Sequence, residues 1–322
     1  MIFRLMKKEV AVGIDIGGTN TDFGIIDRDG NCLAKDSMKT NSYDDVAPFL
    51  DELTDKIKNQ ILSLNGTIEV KGIGVGAPNG NYFNGTIEFA PNLKWKGVIN
   101  LAEMLDKRMN LPVILTNDAN AAAIGEMLYG AAKGMKHFIV ITLGTGLGSG
   151  IVVNGELLYG HDGFAGELGH TIVDPEGRLC KCGRRGCLEA YASAPGMVWT
   201  IREMLKNDNT PSVLRNINIE DLTSKDIFLA AQKGDKIALE AFDYTGKILG
   251  MKLSDAIAFS SPEAIILFGG VAKAGDLIFT PTKKYMEQYL LPIYRNKVKL
   301  LPSLLKKENA AVLGAAALVW TH

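Results

Sequence analysis

Residues 10–40 read VAVGIDIGGTNTDFGIIDRDGNCLAKDSMKT, and the fold follows from how they divide. Val10–Ile16 is an apolar strand carrying one acid, Asp15. Gly17-Gly18-Thr19-Asn20 makes a tight turn. Thr21–Asp27 returns as a strand, Asp29-Gly30 turns again, and Cys32–Lys39 forms a third strand. The product is a three-stranded meander with a glycine-rich first turn. No Gly-Lys-Ser/Thr follows, so it is not a Walker A loop. A strand rather than a helix follows, so it is not the dinucleotide turn either. An acid inside a buried strand is costly unless it is used. Asp15 either hydrogen-bonds the turn or holds magnesium, directly or through water, near phosphates.

The pattern occurs twice. His137–Leu143 is a strand, Gly144-Thr145-Gly146-Leu147-Gly148 a glycine turn, and Ser149–Val153 the return. Asn154-Gly155 then turns into Glu156–Tyr159. IDIGGTN (residues 14–20) and ITLGTGLGSGIVVNGELL (residues 141–158) keep one order of strand, Gly/Thr turn and strand. Two such meanders predict two related α/β domains facing one another. Two Gly/Thr hairpins can pinch a phosphate chain from both sides with backbone N–H groups and hydroxyls. Each turn taken alone is equally a plain tight hairpin.

Between the meanders, residues 44–64 have helical spacing. Lys71–Val75 is a buried strand ending in Gly76-Ala77-Pro78-Asn79-Gly80. Ile87–Ala90 is a short strand followed by Pro91-Asn92-Leu93, Val98–Met109 reads as a helix, and Val113–Thr116 as a strand. At its tip stand Asn117 and Asp118, and Ala119–Leu128 is helical. An acid at the C-terminal end of a strand in an open α/β sheet lies where ligands bind. It is also a favoured helix N-cap, and both readings of Asp118 stand at this point.

Residues 164–190, FAGELGHTIVDPEGRLCKCGRRGCLEA, hold three of the four cysteines as Cys180-x-Cys182-x4-Cys187, with His170 ten residues upstream. One His and three Cys complete a tetrahedral set for a structural zinc, with no position open for water. Three buried free thiols are the plainer alternative. A disulfide would join neighbours too close to bridge comfortably and leave one thiol over. The tight spacing predicts a knuckle on a loop. A metal here would fix Glu167 and Glu189, as a polar binding site requires; away from it they would read as solvated carboxylates.

The remainder is mostly helical: Pro195–Leu205, then an exposed connection Lys206–Glu220, then Thr223–Ala231 and Lys236–Phe259. Glu263–Phe268 is a strand ending in Gly269-Gly270 ahead of a helix over Leu277–Leu290, whose N-terminal amides would face a nucleotide. Lys297–Leu301 is the last strand and Asn309–Trp320 an Ala-rich helix.

A length of 322 residues suggests about two domains. With 35 basic against 36 acidic residues, nothing points to nucleic acid or an anionic membrane. No apolar run spans a bilayer, and MIFRLMKKEV lacks the apolar core of a signal peptide. Cysteines clustered at a metal, with Cys32 unpaired, fit a reducing cytoplasm.

DIGGTN (15–20), NDANAAA (117–123), LGTGLGSG (143–150) and GELGH…CKCGRRGCLE (166–189) together resemble the ROK family of sugar kinases and sugar-responsive repressors. The resemblance covers nearly the whole chain. The cysteine stretch is its most specific part, and there the chain looks most like the bacterial glucokinases. The resemblance implies an actin-like, ribonuclease-H-like fold, with two α/β domains flanking a cleft. The smaller would be residues 1–116 plus 306–322, the C-terminal helix returning to it; the larger, residues 117–305, would carry the zinc loop.

It also implies Asp118 as general base for a sugar hydroxyl attacking the γ-phosphate. Asn117, Glu167, His170 and Glu189 would bind the other hydroxyls, with Gly76 and Asn92 lining the pocket. His170 would use one ring nitrogen for zinc and the other toward sugar. Gly17, Gly18, Thr19, Asn20, Gly144, Thr145, Gly146, Gly269 and Gly270 would contact ATP, and Asp15 would manage Mg²⁺. Many members have Lys at the position of Asn20, so the phosphate region here has one less positive charge. The expected activity is ATP-dependent phosphorylation of a hexose, glucose to glucose 6-phosphate, in a homodimer or homotetramer. A kinase for N-acetylmannosamine, fructose or another hexose is the alternative within the class. A sugar-sensing repressor, which resembles this chain behind an added helix-turn-helix, and a non-catalytic sugar-binding module are the alternatives outside it. Asp15 lies too near the start for such a helix-turn-helix, and the two hairpins with Asp15 disfavour the module.

Overall fold

A computed structural model describes residues 7–64, 66–305 and 310–321. The first meander is β1 (Lys8–Ile16), β2 (Asn20–Asp27) and β3 (Cys32–Lys39), followed by α1 (Val46–Ser63) and β4 (Ile68–Gly76). Short strands β5 (Gly80–Asn81), β6 (Thr86–Glu88) and β7 (Val98–Ile99) form a small sheet before α2 (Leu101–Met109) and β8 (Val113–Thr116). Then come α3 (Asp118–Tyr129) and the second meander, β9 (Phe138–Leu143), β10 (Leu147–Val153) and β11 (Glu156–Leu157). Beyond the cysteine loop lie α4 (Glu189–Ala192), α5 (Ala194–Asn207), α6 (Ser224–Gln232) and α7 (Lys236–Ser260). The chain closes with β12 (Ala264–Phe268), α8 (Asp276–Tyr289), β13 (Lys299–Pro302) and α9 (Ala310–Ala317).

Two five-stranded sheets result, ordered β3-β2-β1-β4-β8 and β11-β10-β9-β12-β13. In each, three meander strands pair antiparallel and two later strands add in parallel. The repeat seen in the sequence therefore extends past the meanders to whole sheets. The inner strands are buried on both sides, which explains their continuous apolar runs.

Alternation along each inner strand sends neighbouring side chains to opposite faces. Val12 and Ile14 meet Phe49 and Leu53 of α1 and Leu105 of α2. Ala11, on the other face, meets Val312 and Ala316 of α9. A Cβ on Gly74 of β4 would stand 1.9 Å from the carbonyl of Ala315, so α9 can lie on this sheet only because the glycine is bare. The C-terminal helix thus returns to the first sheet, as expected. In the second sheet, Ile139 and Ile141 pack among α5 to α8 through Met197, Leu249 and Ile257. Phe138 and Val140 pack on Ala122 and Ala123 of α3. Residues Ala121 and Ile124 of α3 also contact Ala317, which makes this alanine-rich helix the layer between the sheets.

Several boundaries differ from the sequence reading. Val98–Ile99 is not the start of a helix: these β-branched residues pair with β6, Ile99 opposite Ile87, and α2 begins at Leu101. The strand expected over Ile87–Ala90 lies at Thr86–Glu88. Residues 206–220 are not wholly exposed; a 3-10 turn over Val213–Asn216 buries Leu214. The helix expected over Leu277–Leu290 after Gly269-Gly270 is α8, with a short 3-10 turn, Val271–Ala274, between them. The division expected at residue 306 and the helix start expected at Asn309 lie outside the described residues. Among the described residues, no helix is long and apolar enough to cross a membrane.

Candidate active site

β8 ends at Thr116, and the chain turns into α3 through Asn117. The Asn117 side chain accepts a hydrogen bond from the Asn120 amide at 2.7 Å, so Asn117 is the N-cap. Asp118 is the first helical residue, and its carboxylate, which accepts from the Ala119 amide at 2.8 Å, projects from the strand end. The two sequence readings of Asp118 separate here: its neighbour does the capping.

Two glycines border it. A Cβ on Gly76 of β4 would lie 3.5 Å from the Asp118 Cα and 3.7 Å from Asp15 Oδ1, and one on Gly148 of β10 would lie 3.9 Å from Asp118 Oδ1. Asp118 therefore stands where strand ends of both sheets converge. Solvent reaches it, yet the surrounding protein strips enough water to raise its pKa; the Ala119 and Asp118 amides work against that rise. Asp15 sits in register beside Gly76 on one side and Asp22 on the other. Burial first, then the charges of Asp118 and Asp22, push Asp15 up to about 7. Among the described residues no cation pairs with it. Asp22 was missed at the sequence level, although counting outward from the pair Ile16–Thr21 across the turn places it opposite Asp15.

Each glycine turn is closed by one backbone bond, Gly17 N–H to the Asn20 carbonyl at 2.9 Å and Gly144 N–H to the Gly146 carbonyl at 3.0 Å. Thr19 and Asn20 are exposed, and Lys39 Nζ donates to Asn20 Oδ1 at 2.8 Å. Asn92, expected in the sugar pocket, is exposed and packs on the first turn: a Cβ on Gly18 would be 2.6 Å from its carbonyl oxygen. Gly269, at φ +103°, lies against the backbone of Leu143 at the mouth of the second turn. Thr145 opens onto a cavity of about 750 Å³ lined by Val198, Trp199, Leu222 and Ser224. Gly270 borders a smaller one of about 240 Å³, which shares Ser224 and adds Met197 and Phe228. Sequence reasoning named none of these lining side chains, since they come from α5, α6 and the loop before it.

The cysteine loop folds as a knuckle. Bridges Ile172–Cys187 and Leu179–Arg185 bring its ends together. Buried Arg178 fastens it, donating to the carbonyls of Ala190 and Gly196 at 3.2 and 3.1 Å while its guanidinium lies over the Tyr191 ring. The ligand atoms of His170, Cys180, Cys182 and Cys187 all lie within 4.8 Å of one another. Cys180 Sγ is 3.8 Å from His170 Nδ1, and Cys182 Sγ is 3.7 Å from Cys187 Sγ. Ligands about 2.0–2.3 Å from one tetrahedral ion are spaced roughly so. All four cysteines, Cys32 included, are free thiols.

This cluster reaches the site through two carboxylates. His170 Nε2, the nitrogen turned from the sulfurs, is 3.9 Å from Glu167 Oε2. Glu189 accepts from the Leu147 amide of the second hairpin at 2.9 Å, while its other oxygen lies 3.6 Å from Cys180 Sγ. Burial raises the pKa of Glu167, His170 opposes, and the charges of Asp118 and Glu189 raise it further. The structure thus brings Asp15, Asp118, Glu167, His170 and Glu189 into one electrostatically coupled group spanning both sheets, with Gly76 beside Asp15.

The pattern of the ROK family matches residues 11–322. The chain is similar to the glucokinase of Thermotoga maritima, 35% identical over 98% of each chain. It is also similar to the xylose repressor of Bacillus spizizenii, 30% identical over 98% of this chain and 78% of that protein. Among solved structures it resembles a ROK family glucokinase from Streptomyces griseus in complex with glucose and AMPPNP, with a TM-score of 0.81, 33% identity, and 97% of this chain and 100% of that one covered. The duplicated sheet order, the acid at their meeting point and these matches agree: the chain belongs to the ROK family.

Proposed function

We propose that this chain is an ATP-dependent sugar kinase that phosphorylates glucose to glucose 6-phosphate. The observation that carries this reading is the position of Asp118 between Gly76 and Gly148 where the two sheets meet, with Asp15 nearby. Asp118 acts as general base: it takes the proton of the sugar hydroxyl as that oxygen attacks the γ-phosphorus and ADP leaves. A carboxylate with a raised pKa holds that proton better than a solvated one. Asn117, Glu167, His170 and Glu189 bind the remaining hydroxyls, with Gly76 and Asn92 at the rim. A site built for hydroxyls rejects analogues that lack them.

The turns Gly17–Asn20 and Gly144–Gly146, with Gly269 and Gly270, cradle ATP, and the cavities beyond Thr145 and Gly270 take the nucleoside. Asp15, joined by Asp22, offers the oxygen donors a hard divalent cation requires, and Mg²⁺ there supplies neutralisation of phosphate charge. His170, Cys180, Cys182 and Cys187 hold zinc, which supplies rigidity to the loop carrying Glu167 and Glu189. The two sheets belong to two domains, residues 1–116 plus 306–322 and 117–305, whose closure excludes water. Reduced thiolates and the ATP requirement fit the cytoplasm, and a homodimer or homotetramer is the assembly we infer, with light scattering as its check.

The test is ADP release with Mg-ATP against glucose, mannose, fructose, N-acetylglucosamine and N-acetylmannosamine. Preference for glucose supports the reading. Preference for another hexose keeps the mechanism and changes the substrate. Sugar binding without ADP release, from zinc-loaded protein, favours a regulator such as the xylose repressor it resembles.

A further inference from the structure

The first glycine turn carries Asn20, a neutral residue, and borders the carboxylates Asp15, Asp22 and Asp118. A phosphate chain brought there meets like charge. The β2–β3 ladder sets Asn20 opposite Lys39, and Lys39 Nζ donates to Asn20 Oδ1 at 2.8 Å. Lys39 is held in place by its surroundings. The amides of Thr40 and Asn41, next in the chain, donate to the Thr19 carbonyl at 2.9 and 3.5 Å, and the buried Thr21 and Thr40 hydroxyls bond at 2.7 Å. The segment that bears Lys39 is thus fastened to the turn.

The partner's chemistry matters. Lys8, Lys71, Lys94 and Lys107 are each neutralised by a carboxylate. Among the described residues, no carboxylate lies within ion-pair distance of Lys39, and an amide oxygen orients its ammonium without cancelling the charge. An ammonium on a flexible stem is a point charge suited to phosphate oxygens.

We propose that Lys39, oriented by Asn20, is a phosphate-binding residue that supplies the positive charge of the first glycine turn to the terminal phosphates of the nucleotide. The proposal rests on the kinase reading for the identity of the anion. Residues 19 positions apart thereby divide one task, Asn20 aiming and Lys39 carrying charge.

The test measures KM for Mg-ATP, KM for glucose, kcat, and the Kd for Mg-AMPPNP by calorimetry in the absence of sugar. Lys39→Met is expected to raise KM and Kd for nucleotide roughly tenfold, about the loss of one exposed charge-assisted contact, with KM for glucose and the thermal midpoint unchanged. Lys39→Arg should stay near the parent. Adding Asn20→Lys to Lys39→Met should restore nucleotide affinity by returning the charge to the turn. Unchanged nucleotide KM and Kd in Lys39→Met overturn the proposal and leave the kinase reading intact. A parallel loss in both KM values with a lowered midpoint overturns it as well, by assigning Lys39 a structural role. If the parent chain binds Mg-AMPPNP but releases no ADP, the kinase reading falls, and a weakened Kd in Lys39→Met still sustains the proposal.

Discussion

The two meanders share a fold and differ in one side chain at the same place. Asp15 stands two residues before Gly17 in β1, and Thr142 stands two residues before Gly144 in β9. Across the ladder Asp15 faces Asp22, whereas Thr142 faces Gly148. The Thr142 hydroxyl accepts from the Gly148 amide at 3.1 Å and is absorbed by its own hairpin. Asp15 is uncompensated, and burial and its acidic neighbours raise it to about 7. One copy of the scaffold thus keeps its strand polar group for structure, and the other holds a strained acid where a ligand's cation can use it. Stability given up at one of two equivalent positions is what the proposed cation-binding role of Asp15 requires.

The sharpest challenge to this contrast lies at the acid between the copies. Asp118→Asn should lower kcat about 10²–10⁴-fold with the circular dichroism spectrum unchanged; a variant that keeps full turnover removes the base assignment. Next comes Asp15→Asn, expected to lower Mg-dependent turnover roughly a hundredfold, on the scale of losing one preorganised electrostatic group, while making the protein more stable.

The sign of that stability change depends on pH. Asp15 is raised from an ordinary value of 3.8 to about 7. Below pH 4 both states hold the proton, and the variant gains nothing from removing the charge. Between pH 4 and 7 the unfolded chain ionises while the folded one does not, so the parent loses stability as pH rises; above pH 7 the difference levels. Thermal melts at pH 8 should favour Asp15→Asn by about 1–3 kcal/mol, and that advantage should shrink as pH falls toward 4. An equal offset at all pH values would show that Asp15 carries no such penalty.

Removal of the metal tests the second meander. Chelation should release about one zinc per chain and lower turnover at least tenfold, because Glu189 is tied to both Cys180 and the Leu147 amide. Full activity in metal-free protein would sever that link. The smallest effect belongs to Thr142→Val, which removes one hairpin bond: a loss of about 1 kcal/mol in denaturant melts with KM for glucose unchanged. A loss of turnover as large as that of Asp15→Asn would erase the difference between the copies.

Much of this was legible in the sequence, and the limits have physical causes. Local patterns travel well: the period-2 strands, the Gly/Thr turns, the repeat and the His170/Cys180/Cys182/Cys187 cluster all depend on residues near one another in the chain. Asp22 was within reach too, because a hairpin's register follows from its turn. The helix predicted over Val98–Met109 failed at its start because β-branched Val98 and Ile99 found partners in β6, Glu88 and Ile87. The Gly269–Gly270 pair kept its place beside the second turn, and its following helix formed as α8, with a 3-10 turn between them.

Composition and spacing alone determined that this chain builds two α/β units, each with a like three-stranded meander, and a His/Cys₃ loop. They could not determine that Gly76 and Gly148, far apart in sequence, flank the same carboxylate, or that Lys39 reaches Asn20. They also could not choose between capping and chemistry for Asp118. The flanking glycines depend on contacts between distant segments, which the packing of α3 between the two sheets brings together; Lys39 meets Asn20 across the β2–β3 ladder, and the cap is settled by the local Asn117–Asn120 bond.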